Sequence, residues 1–353
     1  MRVAIRADAS VEIGGGHVMR CLTLANTLAA HGAKIVFLAA TMPEALAGLL
    51  GAAGHRLIML GDGPATELAD AAACLLALGD AQPDWIIVDH YALGEAWERA
   101  LHASGAAVLA IDDLADRTHD CDLLLDMTLG RSARDYAGLT PASCEVLAGP
   151  KYAPVAKAFA AARTASLARR EARETASTIL ISLGQMDHGG HTAMAARAAA
   201  AHAPLERIDV VFGSTTAPSL PDVRKQAAHD PRIVIHEAVD ASAMAGLMAA
   251  ADLAIGAAGT TSWERCCVGL PAIAVVLADN QRMIVRGLQA AGAARLGSLD
   301  ELELARQIGE MASDPPGLQQ MAKAAAAVTD GQGARRIESK MAQVQARRLA
   351  STL

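Results

Sequence analysis

"RVAIRADASVEIGGGHVMRCLTLANTLAAHG", residues 2–32, runs from an apolar segment through three glycines and a histidine into a helix-patterned stretch closed by Gly32. The apolar run at 2–7 reads as a strand. The spacing of apolar residues after His17 reads as a helix that stops at the glycine. A strand that hands over to a helix through a short loop is the opening unit of an α/β sheet. Gly14, Gly15 and Gly16 serve either a tight turn or a loop whose backbone comes close to a ligand. The helix start behind them offers free N–H groups and the positive end of a dipole. His17 stands at that start, where a cation is disfavoured, and a neutral imidazole there can accept a proton from water. The spacing is not the dinucleotide fingerprint, which needs a glycine near Met19 and an acidic residue after the second strand.

The same rhythm continues outward. "KIVFLAA" (34–40), "DWIIVDH" (84–90), "AAVLAIDD" (106–113) and "CDLLLDM" (121–127) read as further strands. Runs that are apolar throughout suit parallel strands buried on both faces, and their alternation with helical patterns implies a doubly wound sheet. Between 150 and 176 the pattern gives way to a basic helical stretch, read as an interdomain connection. The rhythm then restarts with "STILISLG" (177–184), "ERIDVVFG" (206–213), "RIVIHEAV" (232–239), "ADLAIGAAG" (251–259) and "PAIAVVLAD" (271–279). The 353 residues exceed what one core usually covers. Two α/β domains of similar size are expected, 1–155 and 156–353, with the last helix returning toward the first. Ligands of open parallel sheets lie beyond the carboxyl ends of the strands. That directs attention to Gly14–His17, Asp89–Tyr91, Asp112–Asp113, Gly184–Asp187, Gly259–Glu264 and Asp279–Gln281.

A formal net charge of -7 gives no electrostatic reason to expect nucleic acid. The six cysteines form no CxxC pair and sit in apolar segments, so buried free thiols are expected rather than disulfides. The first ten residues lack a long apolar core and meet Asp8 early, which argues against a signal peptide. The apolar run near 250 is cut by Asp252, so no membrane span is expected. These features suit a soluble, cytoplasmic protein. No HExxH motif or Cys/His cluster is present, and no metal site or cofactor is expected. His188 and His191 flank glycines and read as solvated.

Among the remaining motifs, "IGAAGTTSWERCCVGLPAIAVVLADNQ" (255–281) carries the most chemistry. Gly259, Thr260, Thr261 and Ser262 form a small hydroxyl-rich turn that suits a diphosphate. Glu264 follows, where a carboxylate could accept hydrogen bonds from a ribose diol. An ordinary cap at Ser262, with Glu264 favoured by the dipole, explains the same residues. The buried strand downstream ends at Asn280 and Gln281, where a sugar or base could be met. "ISLGQMDHGG" (181–190) offers Gly184 and Asp187 as a nucleotide loop or a plain turn. Tyr91 in "VDHYAL" is a site residue or a surface tyrosine. The paired carboxylates of "AIDDLADR" (110–117) suit acid–base work or helix capping.

Taken in order, "GGGHVMRCLTLA", "IIVDHY", "IDDLADR", "CDLLLD", "LGQMD" and "GTTSWERCCVGLPAIAVVLADNQ" resemble the UDP-2,4-diacetamido-2,4,6-trideoxy-β-L-altropyranose hydrolase family of pseudaminic acid biosynthesis. That family is similar in turn to the lipid II-forming glycosyltransferase of peptidoglycan synthesis. The resemblance implies a GT-B fold, two Rossmann-like doubly wound domains facing a central cleft. It implies a metal-independent reaction in which water attacks the anomeric carbon with inversion and UDP leaves. The partner implied is a small-molecule UDP-sugar; the oligomeric state stays open. On the resemblance, His17 is the catalytic histidine and Tyr91 a tyrosine near the sugar. Thr261 and Ser262 form the diphosphate turn, Glu264 is the ribose-binding acid, and Asn280 and Gln281 meet the substrate. The chain departs from the family at Gly184, Gln185, Met186 and Asp187, where two glycines, a serine and an aspartate are usual. The turn "AAGTTS" is also less glycine-rich. A glycosyltransferase on the same scaffold and a non-catalytic nucleotide-sugar binder are the rival readings.

Overall fold

Thirteen strands and thirteen α-helices follow one another along the described chain and divide between two units. The computed structural model describes residues 1–10, 14–61, 66–173, 175–184, 188–202 and 204–351. Unit 1 comprises Met1–Pro154 together with Gly333–Leu353, and unit 2 comprises Val155–Gln332. The chain thus changes unit at residue 155 and again at residue 333, so its last segment packs with its first.

Unit 1 begins with β1 (Arg2–Ala7), α1 (Gly16–Ala30), β2 (Lys34–Ala39), α2 (Glu44–Ala52), β3 (Arg56–Met59) and α3 (Glu67–Leu78). It continues with β4 (Trp85–Asp89), α4 (Glu95–His102), β5 (Ala107–Ile111), β6 (Leu123–Asp126) and β7 (Glu145–Ala148). The strands form one parallel sheet in the order β3-β2-β1-β4-β5-β6-β7. The order reverses between β1 and β4, the switch point where such sheets leave a crevice. In that register Ala7 lies beside Asp89, so Asp89 ends its strand at the crevice. The central strands are buried on both faces, which is why β4 and β5 carry almost unbroken apolar runs.

Unit 2 begins with α5 (Lys157–Glu171), β8 (Thr178–Ser182), α6 (His191–Ala200), β9 (Arg207–Phe212), α7 (Leu220–His229), β10 (Ile233–Glu237) and α8 (Ala241–Ala250). Then come β11 (Leu253–Ala257), α9 (Thr261–Cys267), β12 (Ala272–Val275), α10 (Gln281–Ala290), β13 (Arg295–Leu296), α11 (Glu301–Ala312) and α12 (Pro315–Val328). Its parallel sheet has the order β10-β9-β8-β11-β12-β13, with the same reversal between β8 and β11.

The stretch at 150–176 is not merely a connection. Within it α5 is a structural helix of unit 2, because its arginines close the carbonyl ends of other segments. Arg163 donates to the carbonyls of Cys267, Ala326 and Thr329, and Arg170 to those of Met248, Ala251 and Val268. A basic run that looks solvated in sequence can bury its stems and spend its N–H groups on such orphan carbonyls. The final helix, α13 (Gly333–Ser351), is held in unit 1 by charge. Arg348 donates to Asp122 at 3.0 Å, Lys340 meets Glu145 at 2.5 Å, and His31 lies 2.7 Å from Glu338. All six cysteines are free thiols. No helix among the described residues is long and apolar enough to cross a membrane.

Candidate active site

His17 is the second residue of α1, whose Gly15 N-cap makes no side-chain capping bond. Its Nδ1 lies 2.5 Å from Asp89 Oδ1. Asp89 is 1 % exposed, and a carboxylate that close requires the proton on Nδ1. Nε2 is then the acceptor nitrogen, and it has no hydrogen-bond partner among the described residues. One helical turn on, Arg20 donates to both Asp89 oxygens, Nε to Oδ2 at 2.5 Å and a terminal nitrogen to Oδ1 at 2.6 Å. The same guanidinium reaches Asp113 Oδ2 at 3.2 Å. Tyr91 donates its hydroxyl to Asp113 Oδ1 at 3.0 Å and sets its ring edge-on to His17, centroids 4.9 Å apart. Its phenolic proton therefore goes to a carboxylate, and its ring acts as a wall for the imidazole.

Burial by itself would raise the Asp89 carboxyl, but Arg20 and then His17 hold it far below the usual carboxylate range. Burial opposes the charge on Arg20, and Asp89 more than restores it. The buried Cys21 thiol, 3.6 Å from Asp89, is pushed well up by desolvation and by that carboxylate, so it stays neutral.

The paired carboxylates Asp112 and Asp113 have separate employments. Asp112 Oδ2 accepts from the backbone of Leu114 and Ala115 and from the Tyr136 hydroxyl, and Arg117 lies 2.7 Å from its other oxygen. These bonds hold the loop in shape, with Ala115 in a left-handed conformation at φ 54. Asp113 alone turns to His17's cluster. Beside Tyr91 opens a groove of about 490 Å³ whose lining includes Gly94, Glu95, Arg99, Arg117 and Thr118.

In unit 2 the β8 and β11 ends carry the other candidates. Gly184 has φ 102 with open space where a side chain would stand, and Asp187 lies outside the described residues, as do Gln185 and Met186. Nothing crowds Gly259, and Thr260 and Thr261 are half-buried beside it. Ser262 faces inward: it is 1 % exposed and its hydroxyl accepts from Arg265 at 2.9 Å. Its backbone N–H is taken by Gly259, so this residue serves the turn itself. Glu264 is half-buried, and its carboxyl has no hydrogen-bond partner among the described residues. Crowding by protein atoms pushes its carboxyl up to about 7, against the pull of Arg265. Asn280 is exposed at the start of α10, while Gln281 turns its side-chain oxygen back to the Leu277 N–H at 2.9 Å.

Arg265 was not expected from the sequence. It is 3 % exposed, and among the described residues its guanidinium donates only to the Ala257 carbonyl and the Ser262 hydroxyl, with no carboxylate in salt-bridge contact. Burial lowers its hold on its proton. The guanidinium occupies the space over Gly256, where a Cβ would fall 2.1 Å from a terminal nitrogen. Gly256→Ala is therefore expected to lower stability by about 1–3 kcal/mol in thermal unfolding. An unchanged midpoint would mean that Arg265 is free to move.

Arg20 is likewise an addition, whereas Asp89 and Asp113 belong to the strand-end groups singled out from sequence without an assigned partner. The only local signal was an arginine three residues after His17 and aspartates just past two strands; their mutual contact is a property of the sheet order. Among the described residues no group of three or more His, Cys, Asp or Glu is placed to hold a metal.

Residues 220–339 match the glycosyltransferase family 28 C-terminal domain. Over 160 residues the chain is 28% identical to UDP-2,4-diacetamido-2,4,6-trideoxy-beta-L-altropyranose hydrolase of Campylobacter jejuni, covering 45% of this chain and 53% of that protein. The chain spans little more than half the length of the curated relatives it matches. Among solved structures it is similar to Acinetobacter baumannii MurG, with TM-score 0.69 and 17% identity over 97% of this chain and 99% of that one. It is also similar to the UDP-GlcNAc 2-epimerase of Neisseria meningitidis bound to UDP-GlcNAc, with TM-score 0.64 and 14% identity over 97% and 100%. These likenesses establish a GT-B fold built from two parallel-sheet α/β domains.

Proposed function

We propose that this chain hydrolyses a UDP-sugar, and specifically UDP-2,4-diacetamido-2,4,6-trideoxy-β-L-altropyranose, to UDP and the free sugar in pseudaminic acid biosynthesis. The observation that carries the reading is the Asp89–His17 pair, which leaves Nε2 as an acceptor at the start of a helix. His17 takes a proton from water as the water oxygen bonds to the anomeric carbon. The bond from that carbon to the UDP oxygen breaks, its electron pair leaves with UDP, and the configuration inverts. Asp89 keeps the imidazole in the accepting tautomer and stabilises its cationic form. Tyr91 shapes the site beside the sugar rather than giving up a proton, since its hydroxyl is bound to Asp113.

UDP is a good leaving group and asks mainly for hydrogen-bond donors near its diphosphate. Gly184, Asp187, Gly259, Thr260 and Thr261 are assigned to the nucleotide, with Ser262 and Arg265 supporting the turn from below. Glu264 is assigned to the ribose diol, Asn280 to the far edge of the ligand and Gln281 to the shape of its loop. Gly14, Gly15 and Gly16 leave room for the sugar diphosphate and the water.

A transferase reading has one finding in its favour, the match of residues 220–339 to a glycosyltransferase domain. The test is a panel of UDP-linked 2,4-diacetamido sugars assayed for UDP release with no acceptor present, with NMR of the first anomer formed. Rapid release with inverted configuration is expected. Release only when an acceptor is added would replace hydrolysis by transfer, and binding with no turnover of any sugar would leave a binding protein.

A further inference from the structure

We infer that Arg20 is a positioning residue that sets the charge balance around His17, leaving its cluster one proton short of neutral. The inference rests on the reading of His17 as the acceptor of water's proton. The ionisable groups facing His17 among the described residues are few. Arg20 and Cys21 come from its own helix, Asp89 from the end of β4, Tyr91 from just beyond it and Asp113 from beyond β5. Neighbouring carboxylates are engaged elsewhere, Asp8 with Arg6 at 2.6 Å and Asp112 with Arg117 at 2.7 Å. Cys21 and Tyr91 are neutral, so one guanidinium stands against two carboxylates. The cluster carries one net negative charge while His17 is neutral, and becomes neutral when His17 takes a proton.

This arrangement suits a base that must be empty at rest and filled at the transition state. With both carboxylates and no cation, two negative charges would stand beside the imidazole and favour its cationic form. With the cation and only one carboxylate, the protonated state would leave an excess positive charge in a buried place, which is costly. Arg20 is suited to the task because its planar fork satisfies both Asp89 oxygens and still reaches Asp113. It never has to touch the substrate; it works through Asp89 and Asp113.

The test follows His17 by NMR, through the carbon-bound proton of its imidazole, in the substrate-free protein. Three variants are compared with the wild type: Arg20→Gln, Asp113→Asn and the two combined. The amide oxygen can still accept from the Tyr91 hydroxyl, so the second variant removes the charge and the 3.2 Å contact to Arg20 while the Arg20 bonds to Asp89 stay in place. The midpoint is expected to rise by about one pH unit or more in Arg20→Gln, to fall by a similar amount in Asp113→Asn, and to return near the wild type in the double variant. The acidic limb of kcat/KM for UDP release should move in the same order. A purely structural arginine would lower activity equally at every pH and leave the midpoint in place, and that result would overturn the inference. So would shifts of one sign in both single variants. If Arg20→Gln does not fold, Asp113→Asn still decides on its own, because the inference demands a midpoint below that of the wild type, and an unchanged or raised midpoint would overturn it. The NMR result needs no substrate, so its failure is distinct from a failure to release UDP.

Discussion

Asp89→Asn is expected to lower kcat for UDP release by about 10³–10⁴, close to the loss in His17→Ala, with KM changed only a few-fold. The geometry explains why so small a change should cost so much. Asp89 Oδ1 takes both His17 Nδ1 and an Arg20 nitrogen, and Oδ2 takes Arg20 Nε. An amide in either orientation aims an N–H at one of Arg20's donors. The orientation that spares Nε turns the N–H onto His17 and moves the imidazole proton to Nε2, where it blocks acceptance from water. In the other orientation the tautomer survives but the charge that stabilises the imidazolium is lost. The measurement is steady-state kinetics on protein shown folded by circular dichroism, since an Arg20 left with Asp113 as its remaining carboxylate among the described residues also lowers stability, by up to about 3–5 kcal/mol. A variant with wild-type kcat would remove Asp89 and the proposed proton acceptor from the mechanism.

The second large effect belongs to Glu264→Gln, which is expected to weaken nucleotide-sugar binding on the order of 10–100-fold at pH 8 while making the protein more stable. A carboxylate that accepts two hydroxyl protons from a ribose binds more strongly than an amide. In the free protein the carboxyl is pushed up to about 7. Ligand hydrogen bonds favour its ionised form, so affinity is fully present above that value and falls about tenfold for each pH unit below it. Glu264→Gln should abolish this dependence. The stability effect has the opposite sign. A raised carboxyl binds its proton more tightly folded than unfolded, so the native state is penalised as pH rises from the unfolded value through about 7. Removing the charge should therefore gain on the order of 2 kcal/mol at pH 8, and nothing below about pH 4. Calorimetric titration with UDP-N-acetylglucosamine avoids the terminal phosphate of UDP, which titrates near the same range. A gain in stability with unchanged binding would separate Glu264 from the ribose, and loss of binding with no gain in stability would overturn the raised carboxyl.

The legible parts of the fold were the strands buried on both faces. Residues 3–5, 85–88 and 253–257 announce themselves because every side chain is buried, so the run is apolar throughout. Three edge strands did not. Arg56–Met59 is half exposed, Glu145–Ala148 opens on a charge that binds α13, and Arg295–Leu296 is only two residues long. Edge strands need one partner and little burial, so their sequence carries little pattern. The basic helix at 157–171 was read as a connection for a related reason. The carbonyls that its arginines satisfy lie roughly 80 to 160 residues away in the chain.

For the site, the order of residues alone showed where to look. Glycine loops and polar residues directly after apolar strands mark the carboxyl edge of a parallel sheet, and the chemistry of His17, Glu264 and the threonines is local to those loops. Tertiary structure decided which of these groups meet and which face away. The sheet order brings the ends of β1, β4 and β5 together, so His17, Asp89 and Asp113 share one guanidinium across 69 and 93 residues of sequence. Neighbours in sequence were parted by backbone direction: Asp112 holds its loop while Asp113 serves the cluster, and Ser262 turns inward while Thr261 is half open to solvent. Apolar periodicity records how much of a segment is buried. It does not record which polar atoms will be forced to satisfy one another once water has left, and that requirement is what makes the candidate site of "GGGH".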